Sequence, residues 1–352
     1  MNLLQLYDKL EKLVGKLPTA LQGPILHEIT PVKSLFLARR PPRLALLGEG
    51  GAARADLLNA LFGAAVAGAD DPEHTGWNDL KKPKGGTLRI FDARPPTPLN
   101  LIKNTLADEL PDIFLLLGSA ETNLDFAANV AATTPGGIIA VSAGTSASQL
   151  NDFRASALAN TLIGERLRAT LAIQADTMAE AIIEELPENA RLEMARVSGV
   201  RSVQHRVAGV LIKSMVAICT AIGTQPIPLA DFPILLSLQV TLVAGIMYVS
   251  GREMSLRLAG EFLGALGANV GVGIVLREGS RSLLKFLPGW GDAISGAIAG
   301  AGTYAVGKAA AAYFIDGISI KDARQLFKGG ARNRANAPRV EDSRKPEAGA
   351  RG

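Results

Sequence analysis

Apolar and polar positions along the first half of the chain fall into short uniform runs separated by longer stretches with helical spacing. The runs at 43–47, 87–92, 112–118, 137–142 and 170–174 are predicted strands, and the stretches near 52–62, 98–109, 122–132 and 147–167 are predicted helices. Strands that are apolar on both faces and alternate with helices imply a mainly parallel sheet covered on both sides. Ligands of such sheets bind at the carboxyl ends of the strands, so the strand tips are the places to look for chemistry.

Past residue 176 the strand pattern stops. Met178 to Val197 reads as two charged amphipathic helices parted at Pro187, because proline is poorly accommodated inside a helix. Arg201, His205, Arg206 and Lys213 lead into an apolar run ending at Gly223, and Asp231 with Pro233 marks the start of a further helix over 234–250. Residues 232–250 are free of charge, a length near the thickness of a bilayer's hydrocarbon layer, whereas glycine and proline break the neighbouring run 214–230. Gly267 with Gly271, and Gly296 with Gly300, place small residues on single helix faces. That spacing allows close helix pairing in a membrane and equally in an Ala-rich bundle. At the other end, Leu3, Leu6, Leu10, Leu13, Val14 and Leu17 make an amphipathic helix that Pro18 ends, followed by a proline-punctuated connector.

These patterns divide the chain into an N-terminal helix and connector (1–42), an α/β domain (43–176), an Ala/Gly-rich helical domain (177–320) and a basic, disordered tail (321–352). Composition agrees. Aromatic residues are only 5% of the chain, so its cores must be built from small and aliphatic side chains. The tail holds nine Lys/Arg against four Asp/Glu, a net +5, so with +4 for the whole chain the remainder carries −1. Its interspersed acids and lack of aromatics beyond residue 327 argue against nucleic acid and make a solvated tail the default, with anionic lipid as an electrostatic alternative. The single cysteine, Cys219, excludes an internal disulfide and fits a reducing compartment, and charges at Asp8, Lys9, Glu11 and Lys12 exclude a signal peptide. The expected location is the cytoplasmic side of a membrane, peripheral or inserted through 214–250, with a soluble cytoplasmic protein as the alternative.

Catalytic and metal constellations are missing from the sequence. His27, His74 and His205 are scattered without metal-ligand spacing, and there is no nucleophile elbow or cysteine pair. The stretch Arg43 to Gly63 is the exception in outline: an apolar strand, a turn with Gly48, Gly50 and Gly51, then a helix. Gly48-Glu49-Gly50-Gly51-Ala52-Ala53 also fits a dinucleotide fingerprint. The acids at the required distance, Asp70 and Asp71, lie in a polar stretch that does not read as a strand. A plain glycine turn without any ligand is the simplest alternative.

Gly48, followed by Leu57-Leu58-Asn59-Ala60-Leu61-Phe62-Gly63, resembles the first loop and helix of Era-like and TrmE-like bacterial GTPases. The resemblance implies a P-loop GTPase-like α/β domain with a phosphate loop of the form G-x-x-x-x-G-K-[ST]. Ala53, Arg54 and Ala55 stand at its last three places, so Arg54 replaces the lysine and no hydroxyl is left for Mg²⁺. Asp92-Ala93-Arg94-Pro95 stands where the family has D-x-x-G. It keeps the aspartate but loses the glycine N–H. Ser142-Ala143-Gly144-Thr145 replaces N-K-x-D and leaves no carboxylate for guanine, and Gln174-Ala175 replaces the weaker Ser-Ala motif.

A second resemblance covers residues 227–316, to a helical domain of unknown function found after Era-like GTPase domains and in YcjF-like inner-membrane proteins. It is carried by Ile227-Pro228-Leu229-Ala230-Asp231-Phe232-Pro233, Leu238-Gln239, Gly251-Arg252-Glu253, Leu287-Pro288-Gly289-Trp290-Gly291 and Gly300-Ala301-Gly302-Thr303-Tyr304-Ala305. Together the two resemblances imply a pseudo-GTPase that acts as a membrane-associated interaction or scaffold protein, without efficient GTP hydrolysis, without catalytic or metal-binding residues and with no required cofactor. Its nucleotide-binding remnant would be Gly48, Gly50, Gly51, Arg54 and Asp92, with vestigial GTP or GDP binding as an alternative. The implied partners are a homologous GTPase, a second copy of the chain, or membrane lipid. A weakly active atypical GTPase and an integral-membrane interaction protein with a purely structural α/β domain are the rival expectations.

Overall fold

The computed structural model describes residues 32–68, 76–82, 85–93, 97–224, 231–267 and 291–335, with isolated positions at 23, 26 and 30. The expectations for the helix at 3–17, Pro18, His27, Asp70, Asp71, His74, Arg94, Pro95, 225–230, 268–290 (Gly271 and Trp290 among them) and 336–352 lie outside the described residues.

Six strands form one sheet: β1 (Arg43–Gly48), β2 (Asn78–Lys81), β3 (Thr87–Asp92), β4 (Ile113–Gly118), β5 (Gly137–Ser142) and β6 (Leu167–Ala172), in the order β2-β3-β1-β4-β5-β6. Every pairing is parallel except β2 with β3, which is an antiparallel hairpin at one edge. Side chains alternate between two cores, as a strand's period of two requires. Leu44 and Leu46 of β1, with Ile113, Leu115 and Leu117 of β4, enter one core. Ala45, Leu47, Phe114 and Leu116 enter the other.

That second core is closed by α2 (Leu99–Asp108), α3 (Asp125–Ala131), α4 (Ala147–Ala159) and the short α5 (Thr161–Gly164), through Ile102, Leu106, Ala127, Phe153, Ala157 and Ile163. The first face is covered by α1 (Gly51–Phe62), α6 (Ala175–Glu185) and α7 (Glu188–Ser198), and its core runs on without a break into the helical region. There α8 (Arg201–Gly223), α9 (Asp231–Val249), α10 (Leu256–Gly267) and α11 (Gly291–Ala311) pack together, followed by a π-helical turn over Ala312–Asp316 and α12 (Ile320–Ala335). The basic segment expected to be a disordered tail from residue 321 thus begins inside a helix.

The α8–α11 contact explains the glycine spacing. A Cβ at Gly296 would stand 2.7 Å from the Thr220 carbonyl oxygen, one at Gly300 would overlap Thr220 Oγ1, and one at Gly307 would stand 2.7 Å from Ile212 Cγ1. The stripe is filled by α8 of the same chain, and it brings the two helices close enough to bury Cys219 and Thr303.

A polar knot joins the sheet to the helical region. The Arg196 guanidinium donates to the carbonyls of Gly85, Tyr248 and Arg252 and lies 3.5 Å from the centre of the Tyr248 ring. Tyr248 donates in turn to Glu193 Oε1, and Glu193 Oε2 accepts the Thr87 N–H at 3.2 Å. Lys82 donates to the Val197 carbonyl at 2.9 Å, and partial burial pulls its pKa down.

Three expectations need correction. The strand read at 170–174 is β6 at 167–172, so the apolar Ile173 lies beyond it. The helix read at 147–167 breaks at Asn160, whose side chain accepts the Ile163 N–H and caps the separate α5. Strand β2 was not expected, because its sequence Asn-Asp-Leu-Lys carries a single apolar residue.

Candidate functional site

The chain leaves β1 toward β3 on one side, and leaves β3 across β1 toward β4 on the other. The carboxyl ends of β1 and β4 therefore flank the point where the sheet's winding reverses, the usual position of a ligand crevice in such folds. Gly48 makes the close approach there. Its φ of 88° is in the left-handed region, and a Cβ would overlap the carbonyl oxygen of Leu117.

The next residue fills the crevice. The Glu49 N–H donates to the Leu117 carbonyl at 2.8 Å, and its carboxylate accepts from Thr122 Oγ1 at 2.6 Å and from Ser119 Oγ at 3.3 Å. Thr122 Oγ1 is held in turn by the Ser119 N–H at 2.7 Å. A carboxylate therefore ties the tips of β1 and β4 together, and puts negative charge where an anionic ligand would approach.

Arg54 and Asp92 face each other behind this loop. Arg54, on the second turn of α1, donates through Nε to Asp92 Oδ1 and Oδ2 at 3.2 and 3.1 Å and through Nη2 to Oδ2 at 2.9 Å. Their side chains are only 7% and 1% exposed, so the guanidinium and carboxylate are withdrawn from solvent together. A buried pair of this kind is sustained by its geometry, since either charge alone would carry a large desolvation cost.

The other strand tips are also engaged in local structure. Ser142 is fully buried, its Oγ accepts the Gly144 N–H at 3.1 Å, and the Ala143 N–H donates to the Gly118 carbonyl. Ser146 and Gln149 then form a capping box for α4, with Gln149 Oε1 also accepting the Thr145 N–H. Gln174 sits at the N-terminus of α6 without a side-chain cap, and Glu121 is exposed. The N-terminus of α1, at Gly50 and Gly51, has no side-chain cap and no acid in its first turn, and keeps the anion-attracting character of a helix start.

Of the residues singled out from sequence, the fold thus brings Gly48, Gly50, Gly51, Arg54 and Asp92 to the same end of the sheet. His205 is elsewhere, with Nε2 2.6 Å from Asp316 Oδ1 between α8 and the π-helical turn. Among the described residues no group of His, Cys, Asp or Glu is arranged to hold a metal. Glu49 and Thr122 were overlooked, although an acid inside a glycine loop otherwise suited to phosphate was a readable signal for the first. No protein-family model and no curated protein matches this chain.

Proposed function

We propose that the chain is a GTPase-like α/β protein that has lost nucleotide chemistry and acts by binding partners at the cytoplasmic face of a membrane. The observation that carries this reading is the pairing of Arg54 with Asp92. The cation that would meet a phosphate and the carboxylate that would hold magnesium neutralise each other in the interior. Glu49, seated on Ser119 and Thr122, adds a second obstacle by repelling anions from the mouth of the loop. The sheet order, with its reversal beside β1, supports the GTPase-like assignment.

Titration calorimetry with GTP, ATP and their diphosphates in Mg²⁺ tests the proposal. It expects no binding heat at ligand concentrations up to about 1 mM, an affinity of roughly −4 kcal/mol. Micromolar, Mg²⁺-dependent binding with turnover would overturn it. The uncapped start of α1 favours a second reading, vestigial binding of GTP or GDP without hydrolysis. That reading predicts Mg²⁺-independent binding of GTP or GDP without turnover.

For the membrane, surface association fits better than insertion. Helix α8 is long and apolar enough to cross a bilayer, but more than half of its apolar stretch is buried in the protein. The second half of α9 is buried as well, through Leu242, Val243, Ala244, Ile246, Met247 and Val249. Carbonate washing of membranes should release the protein, and retention in the pellet would favour an inserted hairpin.

A further inference from the structure

The two edges of the sheet are built differently. β2 is four residues long and carries Asp79 and Lys81, the short and charged construction that discourages strand addition. β6 is six residues long, has no proline, is covered on its faces by α4 and α6, and among the described residues pairs only with β5, so that its outer edge has no strand partner among them.

The charges nearest this edge have partners within the same chain. The stem of Arg168 lies against Gly137 of β5 and its guanidinium meets Glu185 of α6 at 3.5 Å. Arg166, just before the strand, donates to the carbonyls of Ala131 and Gly136 and stands over the Phe114 ring. Both arginines are thus tied into their own chain, with the Arg168 side chain half exposed. The helices leading into β6 also leave Leu158 and Leu162 half exposed, at 51% and 46%.

We propose that β6 is the interface through which two copies of this chain pair, edge to edge and antiparallel, into a continuous sheet. A second copy fits because the strand is complementary to itself. With the two-fold axis at Thr170, Arg168 faces Ala172, Ala169 faces Leu171 and Leu167 faces Ile173, so apolar residues meet and no like charges do. The pairing deepens the partner-binding reading above but does not depend on loss of nucleotide chemistry, so calorimetry and the test below can fail separately.

The test measures the mass of the full chain in solution by light scattering and adds cysteine cross-linking in a Cys219→Ser background. Opposed residues across an antiparallel pair have Cβ atoms about 5 Å apart, within reach of a disulfide. Residues 168 and 172 of one copy are about 13 Å apart along the strand and cannot bridge. The unmodified chain should have twice the monomer mass. The Arg168→Cys/Ala172→Cys chain should form a reducible covalent dimer on mild oxidation, while each single substitution should not. A monomeric native chain, a dimer that fails to cross-link, or single variants that cross-link as well as the double variant would each overturn the proposal. A monomer that takes up a strand from another protein counts against it too, because the edge would then serve a different partner.

Discussion

Arg54 and Asp92 make the clearest residue-scale prediction. Truncating one member of a buried ion pair strands the other charge, so Arg54→Ala or Asp92→Ala alone should lower stability by about 3–5 kcal/mol. Replacing both with apolar residues of similar volume, Arg54→Met with Asp92→Leu, should recover most of that loss. Urea unfolding of these chains, with Arg54→Ala/Asp92→Ala added to close the double-mutant cycle, gives the coupling. Two independent, additive losses would show that the residues do not act as a pair. Cys219 offers a second test at this scale, because burial pushes its thiol up to about 11, against a weaker opposing hydrogen bond with Thr303. At pH 8 only about one native molecule in a thousand carries the thiolate, so labelling with a disulfide reagent should wait on unfolding. The raised pKa also means that this group's share of the stability falls as pH climbs from about 9 to 11, a slope that Cys219→Val should remove.

At the scale of elements, α8 and α11 decide what the glycine stripe is for. Gly296→Ala would force a Cβ against the backbone of Thr220, and should cost about 1–3 kcal/mol in urea unfolding even though alanine is the better helix former. Gly302, in the same helix, has nothing within 4 Å of its absent Cβ, so Gly302→Ala should stabilise by up to about 1 kcal/mol. Similar effects at both positions would contradict the close α8–α11 contact. This is also where sequence reading reached its limit. The spacing of Gly296 and Gly300 announced a close helix pair but could not name the partner. β1, β3, β4 and β5 were legible to within a residue or so, because burial on both faces leaves a continuous apolar run in β1, β4 and β5 and Leu88, Ile90 and Phe91 in β3. β2 was not, since a half-exposed edge strand of mostly polar residues is held by its ladder with β3 rather than by its side chains. In the crevice, Arg54 and Asp92 were visible as altered motif positions. That they pair with each other, and that Glu49 joins Ser119 and Thr122, depends on distances between strand tips that no spacing encodes.

The whole molecule is held by a core that ignores the division at residue 176. Leu44 and Leu46 of the sheet, Leu57 and Phe62 of α1, Ile182 of α6, Leu192 of α7 and Leu211 of α8 belong to one continuous cluster, and Arg196, Glu193 and Lys82 tie the same layers together at its border. Residues 32–176 alone would leave one sheet face without α6 and α7. That fragment should therefore lack the sharp thermal transition of the full chain, and cooperative unfolding of the fragment would show that the α/β part is autonomous. The central claim concerns the carboxyl ends of β3, β1 and β4, where Glu49 bridges β1 to β4 and the Arg54–Asp92 pair joins α1 to β3. Its most direct test is to heat-denature the purified full chain and chromatograph what it releases. The account predicts no nucleotide, and release of GTP or GDP in near-equal amount to protein would contradict it.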